Sequence, residues 1–114
     1  LKPIEIETCG LNAALAVIAG KWKPTIIWVL HAAPTRFGAL RRQIPGISEK
    51  VLFQQLRELE ADGVVRRRVF EGAVLHVEYS LTASGQVLNT ATHALSVWGT
   101  GHAATRSAVE LLSG

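Results

Sequence analysis

A chain of 114 residues supplies one domain with one hydrophobic core and is too short for two. An apolar fraction of 48% against 18% charged residues excludes a disordered polyelectrolyte. The formal charge of +3 is unevenly spread: from Arg36 to Arg68 eight basic residues stand against four acids, a surplus that suits a polyanionic partner.

In chain order, residues 1–10 carry Pro3 and mixed charges and read as an irregular arm. A short apolar helix is predicted over 12–19, closed by Gly20. Pro24 then takes a favourable first position in a second helix, largely buried through Ile26, Ile27, Val29 and Leu30 and stopped by Ala32-Ala33-Pro34. Thr35 is the expected cap of a third helix, on which Phe37, Leu40 and Ile44 recur at i, i+3 and i+7. Arg36, Arg41 and Arg42 ride its edges, and Pro45-Gly46-Ile47 forms a tight turn.

The stretch after that turn has its own start and stop. Ser48 is a good N-cap, Ile47 and Leu52 stand at staple positions, and Gly63 sits where a left-handed C-cap is wanted. At about 100° per residue, Leu52, Gln55, Leu56, Leu59 and Gly63 share one side. Lys50, Gln54, Arg57 and Ala61 share the other, with no carboxylate along its centre. Such a stripe suits phosphate oxygens and base edges, although an ordinary solvated face has the same look. Two helices joined by a short glycine turn make a helix-turn-helix over 35–62.

After Gly63 the period falls to two, which predicts a β-hairpin over 64–81 with its turn at Glu71-Gly72-Ala73. Its first strand is rich in arginine. Arg66 and Arg68 share one face and Arg67 takes the other, so one set is expected to reach phosphate groups of a partner and the other to pair with carboxylates such as Glu58 or Glu78. Thr82 caps a long helix with Leu88, Ala91, Leu95 and Trp98 in one stripe. Gly99 and Gly101 are expected to break it, leaving a last short helix over 103–112. That stripe and the apolar first helix exceed what one small domain covers by itself, which predicts a homodimer.

A helix-turn-helix followed directly by a basic hairpin is winged-helix organisation. The fold class expected is α+β, mainly α, a single winged-helix domain over 1–114 with additional N- and C-terminal helices for dimerisation. Cys9, Gly20-Lys21-Trp22, Phe37 with Leu40, Pro45-Gly46-Ile47-Ser48, Leu52, Leu56-Arg57-Glu58-Leu59, Asp62-Gly63 and Val77-Glu78-Tyr79-Ser80-Leu81-Thr82 with Gly85 together resemble the HxlR-type winged helix-turn-helix regulators, relatives of MarR-type repressors. The similarity runs in register over about residues 9–99. It departs at Gly10, where these proteins often carry proline, and at a wing tip without prolines. The resemblance implies a bacterial or archaeal dimer that binds double-stranded operator DNA to control transcription.

On that footing Arg36, Ser48, Lys50, Val51, Gln54, Arg57, Arg66 and Arg68 are the expected DNA contacts, with Val51 or Phe53 available to thymine methyls. Cys9 has two readings, a packing residue at the dimer seam or the redox-sensing thiol known in some members of that family. As the lone cysteine it excludes an intrachain disulfide and points to a reducing cytoplasm. His31, His76, His93 and His102 show no metal-ligand spacing, and no phosphate loop, nucleophile elbow or carboxylate pair is present. Neither enzyme chemistry nor a cofactor is expected. Trp22, Trp28 and Trp98 are expected in core and dimer seam, with room left for a small-molecule or oxidant effector between subunits. No run reaches the eighteen or so apolar residues of a membrane span. With no methionine anywhere, the first residue is expected to follow trimming or processing. The competing reading is a winged-helix protein-interaction module without DNA binding.

Overall fold

A computed structural model describes residues 9–113. The elements are α1 (Gly10–Val17), α2 (Lys23–Ala32), β1 (Thr35–Arg36), α3 (Phe37–Gln43), α4 (Glu49–Ala61), β2 (Val65–Phe70), β3 (His76–Leu81) and α5 (Ala83–Ser113). The arm expected over residues 1–10 falls almost wholly outside the described residues. Its end is corrected, because Gly10 already opens α1.

The core lies between α2, α3 and α4 and one face of a small sheet. Ile26, Ile27, Leu30, Leu40, Leu52, Leu56 and Leu59 are all essentially inaccessible, and Tyr79 closes the sheet side. Alternation explains the sheet's share: Val65 and Tyr79 point inward from β2 and β3, while Arg66 and Arg68 point outward. Pro24 occupies the second helical position of α2, one later than the sequence predicts, where its missing N–H still costs nothing.

Three antiparallel strands run in the order β1-β3-β2. Thr35 pairs with Tyr79 and Arg36 with Glu78, so the expected capping role of Thr35 is corrected. Its hydroxyl donates to the Ala33 carbonyl at 2.9 Å, and Arg36 is the residue that precedes α3. A two-residue strand exists only through its partner and carries no period of its own.

The hairpin feeds α5 through one hydroxyl. Thr82 Oγ1 donates to the Gly63 carbonyl at 2.6 Å and accepts from the Gly85 amide at 3.0 Å, capping α5 and tying it to the end of α4. Gly85 is buried where a Cβ would overlap the Val64 carbonyl oxygen.

The break expected at Gly99 and Gly101 does not occur. The positive-φ glycines among the described residues are Gly20, Gly46 and Gly63, so Gly99 and Gly101 keep helical angles and α5 runs unbroken for 31 residues. Each glycine costs about 1 kcal/mol relative to alanine, which a helix of this length absorbs. The Trp98 and His102 rings stack at 4.8 Å across the two glycines, one turn apart. From Thr100 onward every described residue of α5 is exposed. Among the described residues, no helix is long and apolar enough to cross a membrane.

Candidate nucleic-acid interface

The turn into α4 is built by residues with specific jobs. Gly46 takes φ +86°, which an L side chain rarely adopts, and so reverses the chain after α3. Ile47 at the position before the cap and Leu52 in the second turn are both buried, fixing the angle at which the chain enters the helix. Ser48 Oγ accepts from the Val51 amide at 3.1 Å, and Gly63 at φ +73° ends the helix. Leu52, Leu56 and Leu59 face the core, so the opposite stripe has to face outward.

That stripe presents Lys50, Gln54, Arg57 and Ala61, all exposed. Val51 is half-buried against the core, so Phe53 is the freer apolar group of the two. Phe53 is 48% exposed and makes an edge contact with Phe37 at 6.5 Å, while the Arg57 guanidinium lies 5.9 Å over its ring. Glu49, in the first turn, is held by Arg41 at 3.3 Å. Glu58 reaches the other way, to Lys23 Nζ at 2.9 Å.

Lys23 is a residue that the sequence reading passed over. Its side chain is 10% exposed, and its ion pair joins the first turn of α2 to the recognition-helix candidate. An ammonium three residues before a pair of core isoleucines is the signal that could have found it, since a charge so placed needs a partner.

The three hairpin arginines divide as alternation requires. Arg66 pairs across β3 with Ser80, and Arg68 with Glu78, on the outer sheet face. Arg36 pairs with Glu78 from the other side, so Glu78 sits in a row between Arg36 and Arg68. Among the described residues the basic side chain within ion-pair reach of Glu78 is His76, at 4.0 Å, and Glu58 is taken by Lys23. The expected pairing of a hairpin arginine with Glu58 or Glu78 is thereby corrected. Arg67 stands opposite Tyr79 on the inner face and borders a crevice against α4. The fold thus gathers Lys50, Gln54 and Arg57 into one stripe and places Arg36, Arg66 and Arg68 together on a separate surface.

Cys9 immediately precedes α1 and is half-buried. The backbone amides of Asn12 and then Leu11, turned toward the sulfur at the start of α1, hold its thiol below the ordinary value, against a smaller opposing effect of burial. α1 has no fully buried side chain, and Leu11 and Leu15 are exposed. Trp22 packs against the core, whereas Trp28 and Trp98 lie largely on the surface. Trp28 stacks on His93 at 4.9 Å beside a small crevice between α2 and α5. Among the described residues, no group of three metal-ligating side chains comes together.

Residues 17–107 match the family model described as HxlR-like helix-turn-helix. The chain is 41% identical over 92 residues to an uncharacterized HTH-type transcriptional regulator, YkvN of Bacillus subtilis, covering 81% of this chain and 78% of that protein. A counterpart from Halalkalibacterium halodurans, BH0655, is 45% identical over 95 residues, covering 82% and 84%. Among solved structures, the redox regulator HypR in its reduced form superposes with a TM-score of 0.81 at 36% identity, covering 88% of this chain and 99% of that one. HypR in its oxidized form gives 0.75 at 40% identity, covering 82% and 96%.

Proposed function

The chain belongs to the HxlR-like helix-turn-helix family, and we propose on that footing that it is a dimeric transcriptional regulator that reads operator DNA with α4. The observation that carries this is the outward stripe of α4, where Lys50, Gln54 and Arg57 are exposed while their sequence neighbours Glu49 and Glu58 are drawn off to Arg41 and Lys23. A helix capped at both ends holds those groups in fixed register, which base-edge hydrogen bonding requires. Ser48 supplies the cap and a phosphate contact. Arg36, Arg66 and Arg68 add positive charge on the wing side.

Redox control through Cys9 is the regulatory half of this reading. Its lowered thiol favours the thiolate, the form that oxidants attack. The likeness to a redox regulator solved in reduced and oxidized forms supports it. With one cysteine per chain, oxidation joins Cys9 of two subunits or captures a small thiol, two thiols losing two electrons and two protons to the oxidant.

Selection of bound duplexes from a random pool tests the reading. The expected product is a two-fold repeated sequence with half-sites about 34 Å apart, one DNA turn. No enrichment, with binding indifferent to salt, contradicts it and favours a protein-interaction module.

A further inference from the structure

We propose that the crevice between α4 and β2 is a seat for a single backbone phosphate of duplex DNA, held jointly by Arg57 and Arg67. This rests on the DNA-binding reading above and adds a contact, Arg67, that the strand alternation by itself had set apart from Arg66 and Arg68. The crevice has a volume of about 240 Å³ and is lined by Phe53, Arg57, Glu60, Arg67 and Tyr79.

Both guanidiniums are exposed, and among the described residues neither makes an ion pair. Arg57 is oriented by an aromatic platform: its guanidinium lies over Phe53, which in turn meets Phe37 edge to face. A guanidinium held over a ring keeps N–H groups available for a fork-like grip on oxygens. It also gives the exposed Phe53 ring a task other than touching thymine.

Arg67 enters from the other wall. Its register partner Tyr79 is only 4% exposed, so the inner sheet face is filled there. β2 is an edge strand, which leaves the Arg67 side chain free to continue past that ring toward α4. Arg66 and Arg68 leave by the opposite face.

The charge count selects the ligand. Two guanidiniums and the Glu60 carboxylate sum to one positive charge. A phosphodiester carries one negative charge, so one backbone phosphate closes the crevice at neutrality. The carboxylate opposes the second charge of a free phosphate dianion.

The test uses the full chain and one duplex whose phosphates are replaced one at a time by uncharged methylphosphonate, with affinity read by fluorescence anisotropy. At one phosphate per half-site the wild type is expected to lose roughly tenfold, the scale of one charge-assisted hydrogen bond. Arg57→Gln and Arg67→Gln should each bind the unmodified duplex more weakly and lose less than about twofold further at that same phosphate. Arg66→Gln should keep the full penalty there. Circular dichroism checks that the variants fold, as two exposed positions allow. If either Arg57→Gln or Arg67→Gln keeps the wild-type penalty at every phosphate, the shared seat is wrong while DNA binding stands. A wild type that binds no duplex overturns both.

Discussion

Cys9 shows how much one residue owes to its position. Its sulfur lies beside the Asn12 and Leu11 amides, N–H groups that have no intrahelical acceptor at the start of α1 and so favour the thiolate. A depressed thiol pKa means that thiolate persists to lower pH in the folded chain than in the unfolded one. The alkylation rate with iodoacetamide should therefore reach half its plateau at a lower pH in buffer than in urea. Equal midpoints would contradict the assignment. Diamide should change duplex affinity in the present chain and leave Cys9→Ser unaffected, and an equal response in both would return Cys9 to a packing role. Gly85 makes the same point for stability. A methyl there meets the Val64 carbonyl, which is backbone and cannot swing aside. Gly85→Ala should cost roughly 1–3 kcal/mol in urea unfolding despite alanine's better helix propensity. An unchanged or raised midpoint would show that α5 shifts freely on the hairpin.

At the level of elements, α4 was legible because its signals are local. A serine cap, a glycine stop and leucines spaced for one face lie within sixteen residues, and the structure keeps all of them. The hairpin was legible for the same reason, through its period of two. What failed depends on distant partners or small energies. β1 has two residues and owes its existence to Tyr79 and Glu78 more than forty positions away. Gly99 and Gly101 were read as a stop, but a glycine ends a helix only when it takes a positive φ, and neither does. In the candidate site, alternation correctly separated Arg67 from Arg66 and Arg68. It could not say that the inner face opens onto α4, since that depends on how the helix lies across the sheet. The pairing of Lys23 was not legible because its partner Glu58 lies thirty-five positions away on α4 and meets the head of α2 only in the folded chain.

The whole molecule is an unfinished surface. Its longest dimension is 62 Å, set by a helix whose 31 residues extend about 46 Å at 1.5 Å each. Leu95, Trp98, Val109, Leu111 and Leu112 are exposed on α5, as are Leu11 and Leu15 on α1. Among the described residues nothing in one chain buries these side chains, and a two-fold partner would cover them without a new kind of contact. Sedimentation at micromolar concentration should give twice 12.3 kDa, and Leu95→Lys with Trp98→Lys should shift it toward the monomer. A wild type that sediments as monomer alone would contradict the pairing. The central claim, that the outward stripe of α4 reads bases, is tested most directly by Gln54→Ala. Gln54 is exposed one turn beyond Lys50, and as an uncharged amide it gains little from phosphate attraction. Anisotropy on a selected operator and on a random duplex, across a salt series, separates the two contributions. Gln54→Ala should weaken the operator by roughly 1–3 kcal/mol and leave the random duplex nearly untouched. Arg66→Ala with Arg68→Ala should weaken both duplexes and lower the salt slope by about 0.9 for each phosphate that is no longer neutralised. Equal losses on operator and random duplex for Gln54→Ala would contradict base reading by this face.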